Sequence, residues 1–139
     1  FGAQGEPVAQ PDAGVPPSGE WERRAYAAQA EYIGMRIVEI ARILIEQSDP
    51  PPVIVIQGDH GPDLETPVAT DEARMGILNA YYFSGARELV YGTITPVNTF
   101  RLVLNDVFDA HLPLAADRSE YSTKGDPFMF RRVANSCRE

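Results

Sequence analysis

Apolar residues recur along the chain first with helical spacing and then with extended spacing. Tyr26, Ala30, Ile33, Ile37, Ile40 and Leu44 are four, three, four, three and four positions apart, while Glu22, Arg23, Glu31, Arg36, Glu39 and Arg42 fall mostly elsewhere. This spacing predicts an α-helix over 22–47 that buries its Ile and Leu face. It must stop by Asp49, because Pro50, Pro51 and Pro52 lack amide protons and clash with the preceding turn. Val53 to Ile56 is apolar at every position, which predicts a strand over 53–57 covered on both faces, as strands of parallel sheets are. Met75 to Phe83 is a second extended candidate, its aromatic and β-branched content set against Gly76 and Asn79. Thr95 and Pro96 suit the cap and first position of a second helix over 96–108, with Val97, Phe100, Leu104 and Val107 or Phe108 as its apolar stripe. A helix followed by a buried strand is half of an α/β unit, so the expected class is α/β.

The two ends read differently from the middle. Residues 1–20 hold four Gly and four Pro without periodicity, the composition of a flexible linker or loop, and 131–139 reads as a C-terminal tail. The opening residue is Phe, and the same twenty residues have neither the basic nor the apolar region of a signal peptide, so they read as the interior of a longer protein. No run reaches the ~18 to 20 apolar residues of a membrane span. With 139 residues, 44% of them hydrophobic, the chain has the length and apolar content for one domain with a core.

Charge narrows the partners. The net charge is −8, and residues 46–72 carry Glu46, Asp49, Asp59, Asp63, Glu65, Asp71 and Glu72 without one Lys or Arg. Such a stretch repels phosphate backbones and attracts cations, so nucleic acid is not an expected partner. The single cysteine, Cys137, excludes an internal disulfide.

The candidate chemistry lies in "PPVIVIQGDHGPD", where an apolar strand runs straight into Asp59 and His60 between Gly58 and Gly61. Neighbours on a regular strand point to opposite faces, but the glycines permit a break that brings a carboxylate and an imidazole toward one point. At the carboxyl end of a parallel strand that would make half of a metal site, suited to Zn²⁺, Mn²⁺ or Fe²⁺. The same pair also suits a turn cap in which His60 bonds to a carbonyl. A dinucleotide loop lacks its GxGxxG, and an EF-hand lacks its ligand spacing.

"VIVIQGDHGP" resembles the strand and DHG signature of the alkaline phosphatase superfamily, in particular the sulfatase-like hydrolase/transferase branch that includes lipoteichoic acid synthases. "RMGILNAYYF" and "YGTITPVNTFRLVLNDVFDAHLPLAADRSEYS" resemble the C-terminal run of membrane-anchored bacterial members, so the likeness spans about residues 20–130. The resemblance implies a partial α/β/α sandwich, a mostly parallel sheet with flanking helices, of which 21–130 would be the C-terminal portion of the catalytic domain. It implies that Asp59 and His60 ligate the catalytic divalent cation, Mn, Zn, Mg or Ca, while the nucleophile lies ahead of Phe1. The parent protein would be anchored in a bacterial membrane with its catalytic domain outside the cytoplasm. This piece alone would be soluble and inactive.

On the sequence, two functions stay open. One is a fragment of a metal-dependent phosphate, phosphodiester or sulfate ester hydrolase or transferase, acting on a small or lipid-linked ester. The other is a binding or structural module in which Asp59 and His60 only order their loop. Between 43 and 86 there is no Lys and one Arg, Arg74, so little here clamps an anion. His111 reads as a surface loop residue, Arg101 as a structural one, Tyr81 and Tyr82 as half-buried packing residues, and Asp117 to Ser119 as a locally bonded turn.

Overall fold

The computed structural model describes residues 2–7, 9, 19–62, 71–85, 89–123 and 125–134. The middle of the expected N-terminal linker, residues 63–70 of the acidic stretch, Cys137 and the end of the expected tail lie outside them. The chain divides into two compact units, Phe1–Pro51 with Pro62–Ala69, and Pro52–Gly61 with Thr70–Glu139.

In the first unit one helix dominates, α1, Gly19–Gln47, with Glu20 and Glu22 in its first turn where they complement the helix dipole. It ends where expected, with Ser48 N–H on the Leu44 carbonyl just ahead of the proline run. Its apolar face is not buried. No residue of α1 is buried, and Ile33, Ile40 and Leu44 are 46%, 50% and 44% exposed. Helical spacing therefore identified the element correctly but not its covering. Residues 2–6 form a turn, closed by Gly2 N–H to the Glu6 carbonyl and Gly5 N–H to the Gly2 carbonyl. Gly5 has φ +82, and a Cβ there would stand 2.5 Å from the Tyr32 ring, so this position needs glycine for both conformation and space.

The second unit holds β1 (Ile54–Gln57), α2 (Asp71–Met75), β2 (Asn79–Tyr82), α3 (Pro96–Phe108), β3 (Ser119–Tyr121) and β4 (Arg131–Val133). β1 pairs with β2, and β3 with β4, each as a two-stranded antiparallel sheet. The expected partial α/β/α sandwich with a mostly parallel sheet is thus overturned. The reason lies in the connection. Gly58 N–H donates to the Leu78 carbonyl, so the chain returns to the end of β1 that it left, and the next strand must run backwards. A parallel neighbour needs a crossover back to the other end. A continuous apolar run does not record the direction of its neighbour, and the expected cover on both faces is incomplete too, since all four residues of β1 remain partly accessible.

β2 is shorter than the expected 75–83 segment, because Met75 closes α2 and Gly76 and Ile77 turn on the Ala73 and Met75 carbonyls. Within the sheet, Gln57 opposes Asn79 and donates from Nε2 to Asn79 Oδ1 at 3.0 Å. Tyr81 and Phe83, two apart and so on one face, stack their rings 6.3 Å apart. In the second sheet Arg131 lies opposite Tyr121, its guanidinium 5.4 Å from the ring centroid.

α3 starts at Thr95 and Pro96 as expected, yet it faces the other way round. Val97, Phe100, Val107 and Phe108 are exposed, Phe100 by 62%, whereas Asn98, Thr99 and Leu102 are buried. The polar pair is inside because each side chain is bonded there. Asn98 exchanges two hydrogen bonds with the Ala115 backbone, both 2.9 Å, and Asn105 does the same with Leu112 at 2.9 and 2.6 Å. The spacing makes this possible. Seven helical residues rise about 10.5 Å, and three extended residues span about 10 Å, so Asn98 and Asn105 meet Ala115 and Leu112 in register as mimics of a strand edge. Buried apolar residues among those described are Phe83, Ile94, Leu102 and Val133. Among the described residues, no helix is long and apolar enough to cross a membrane.

Candidate functional site

Asp59 and His60 stand where the ladder ends, one residue beyond the Gly58–Leu78 bond. The strand carrying them is antiparallel, so their placement rests on the loop and not on a parallel-sheet rim. Gly61 anchors that loop. Its N–H donates to the Arg74 carbonyl at 2.6 Å, and a Cβ on it would lie 2.0 Å from the Ala73 carbonyl oxygen, so only glycine can seat the loop against α2.

The geometry of the pair derives from this seat. His60 Nδ1 lies 2.7 Å from the Gly61 carbonyl, which has no proton to give, so Nδ1–H donates, and Nε2 is the nitrogen that presents a lone pair whenever the imidazole is neutral. Nε2 is 3.7 Å from Asp59 Oδ2, while Asp59 Oδ1 accepts the His60 amide at 3.0 Å. A backbone carbonyl that takes one ring N–H and leaves the second nitrogen unengaged is also the usual support of a metal-ligating histidine. The His60 N–H, then the amide of Asp59 itself, then the charge interaction with His60 hold the Asp59 carboxyl below its ordinary range. Both side chains reach solvent, Asp59 at 91% and His60 at 47% exposure. Among the described residues no third His, Cys, Asp or Glu completes a metal-binding group with them.

The remaining candidates do not converge on this pair. His111 has φ 53 and is exposed beside Asp109, with Nε2 3.4 Å from Oδ1. Arg101 folds back onto its own helix and donates to the Val97 carbonyl at 2.6 Å. The Tyr81 hydroxyl shares a 2.7 Å hydrogen bond with Thr99, which also accepts from Gln57.

Asp117 departs most from expectation. Instead of closing a local turn it crosses to the start of α3, where Oδ1 accepts Thr95 N–H at 2.7 Å, Thr95 Oγ1 at 2.6 Å and Asn98 Nδ2 at 3.1 Å, and Oδ2 accepts the Tyr91 hydroxyl at 2.6 Å. The Thr95 hydroxyl caps no helix amide and donates its proton to Asp117. Burial alone would raise the Asp117 carboxyl, but the donors from Thr95, Tyr91 and Asn98 outweigh it and hold the group below its ordinary range. Burial and the Asp117 charge push Tyr91 up. The sequence signal for this network was Asn98–Thr99 standing beside the apolar stripe of an amphipathic helix. No family model, curated protein or solved structure matches the chain.

Proposed function

We propose that Asp59 and His60 supply two ligands of a divalent-cation site that serves hydrolysis or transfer of a phosphate, phosphodiester or sulfate ester. The observation that carries this reading is His60 Nε2, the ring nitrogen not engaged by the Gly61 carbonyl, 3.7 Å from a carboxylate oxygen of Asp59. Two ligands each about 2.1 Å from a tetrahedral ion stand about 3.4 Å apart, so a small side-chain adjustment brings the pair to ligand spacing. An imidazole with a carboxylate suits Zn²⁺ or Mn²⁺ better than all-oxygen Ca²⁺. Bound there, a divalent cation supplies activation of an oxygen nucleophile and offsets charge on the transferred group. The similarity of "VIVIQGDHGP" to the DHG signature of sulfatase-like hydrolases supports the ester chemistry, with the nucleophile and further ligands coming from outside these residues.

A second reading is favoured by the bonds inside the loop. Asp59 Oδ1 on the His60 amide and His60 Nδ1 on the Gly61 carbonyl would also order a turn with no ligand. Calorimetric titration with Zn²⁺ and Mn²⁺ separates the two. The metal reading expects weak one-site binding by the chain, since two protein ligands are fewer than the three of ordinary catalytic zinc sites, and its loss in Asp59→Ala and in His60→Ala. Equal heats for the chain and both variants would leave only the loop-ordering role. The chain alone is expected to be silent toward phosphate and sulfate esters. Turnover that persists through purification and vanishes in Asp59→Ala would place the whole active site within the chain.

A further inference from the structure

Beside Asp59 the surface opens into a cavity of about 130 Å³, lined mainly by Met75, Ile77, Ile94 and Pro96, with polar groups from β2, β3 and the cap of α3 and the charges of Asp59 and Arg74 at its border. The walls come from the end of α2, the link into β2 and the start of α3, and each is fixed by bonds independent of any ligand. Ile77 N–H is on the Met75 carbonyl at 3.1 Å, Ile94 N–H on the Tyr91 carbonyl at 3.0 Å, and Thr95, between Ile94 and Pro96, is held by Asp117. The cavity is therefore preformed. Its size is informative, because an apolar cavity of about 150 Å³ holds one benzene ring, whereas drug-sized ligands need about 300 Å³ or more.

We propose that this cavity is the subsite for the organic part of the ester, and that it accepts a single apolar ring while excluding fused rings. The assignment rests on the metal reading for the position of the ester group and on the cavity for the ring. The ligand it fits is amphipathic: an anionic end at Asp59 and His60, met by the cation held there and by the nearby Arg74 charge, and one uncharged ring among four apolar side chains. A bare phosphate or a methyl ester would leave those side chains unfilled.

Methyl-labelled chain observed by NMR tests this with three probes that cannot be hydrolysed at a P–O–C bond: methylphosphonate, phenylphosphonate and 1-naphthylphosphonate. Phenylphosphonate is expected to shift the Ile77 and Ile94 methyl signals saturably, methylphosphonate to leave them in place, and the naphthyl probe to bind at least about tenfold more weakly. Ile77→Phe, which fills the cavity, should abolish the phenyl response, and Met75→Ala, which widens it, should narrow the gap between phenyl and naphthyl probes. Leu102 and Val133 signals report that each variant is folded, since both residues are buried and neither lines the cavity. Equal responses to methyl and phenyl probes, or a phenyl response untouched by Ile77→Phe, would overturn the subsite. Zn²⁺ is added separately and read at the His60 ring signals. A His60 response with silent cavity methyls rejects the subsite and keeps the metal pair. Cavity shifts with no Zn²⁺ effect at His60 reject the metal pair and the ester assignment with it.

Discussion

Two carboxylates of the second unit, Asp59 and Asp117, are both held below their ordinary range, and they are held there by opposite kinds of structure. Asp117 takes its donors from residues 19 to 26 positions away, around Asn98, whose side chain is fully buried. Asp59 has its nearest bond to the adjacent amide and stands 91% exposed. Around Asp117 the donors converge on the carboxylate and tie α3 to the 112–117 segment. At Asp59 one oxygen is left facing His60 Nε2. A lowered carboxylate thus accompanies a cross-linking lock at Asp117 and an exposed oxygen at Asp59, and what separates them is whether an acceptor remains to be used.

The contrast breaks most severely at Asn98. Removing its amide strips the Ala115 backbone of both partners and takes a donor from Asp117 and from Tyr91. Buried groups left unpaired cost about 1 to 3 kcal/mol each, so Asn98→Ala is expected to destabilise the chain by about 3 to 5 kcal/mol, measured by urea unfolding. A loss below about 1 kcal/mol, the scale of one ordinary hydrogen bond, would show that the network is incidental.

Asp117→Asn comes next, at about 2 kcal/mol near neutral pH, because hydrogen bonds to a charged acceptor are the stronger ones. It also has a pH signature. With its native pKa below the unfolded value of about 3.9, the Asp117 carboxylate contributes stability that is complete above that value and is lost as pH falls through the native one. Asp117→Asn should remove that component and flatten the acid limb of the stability profile. An unchanged acid limb would assign the acid sensitivity to other groups.

The local elements were legible because their signals are local. The proline run after Asp49, the cap pair Thr95–Pro96 and the β-formers of Ile54–Gln57 each act within a few residues. Burial was not legible, because the Ile face of α1 and the Val97–Phe100 stripe carry the spacing of a covered face whether or not anything covers it. Strand direction was misread for a related reason: Val53 to Ile56 says nothing about where Leu78 will return. At the site, Asp59 and His60 were visible as residue types between glycines. The Asp117 network was not, since its partners are joined only by the fold.

Gly61→Ala tests what supports the exposed pair. The added Cβ meets the Ala73 carbonyl at 2.0 Å and the Gly76 carbonyl at 2.8 Å, backbone atoms that cannot swing aside as a side chain would. Forced overpacking of this kind costs about 1 to 3 kcal/mol. Displacing the loop should also release the His60 ring from its carbonyl, and losing such support weakens metal binding by about 10 to 100-fold. Zn²⁺ titration of the folded variant checks the second effect. Unchanged affinity would mean that His60 finds its orientation without the Gly61 seat.

The smallest stability effect is expected at the pair itself. Among the described residues the side-chain hydrogen bonds of Asp59 and His60 reach no further than Gly61, and both side chains are open to solvent. Truncating exposed groups of this kind changes stability by less than about 0.5 kcal/mol, so Asp59→Ala and His60→Ala should unfold at nearly the urea midpoint of the unmodified chain. This near-neutrality bears directly on function. If the pair existed to order the loop, removing it would cost stability and leave metal binding irrelevant; if it is a ligand pair, removing it costs metal binding and leaves stability in place. Urea midpoints and Zn²⁺ titrations on the same two variants therefore give opposite patterns for the two readings. A midpoint shift equivalent to about 1 kcal/mol or more, on the scale of a structural hydrogen bond, would decide for the loop.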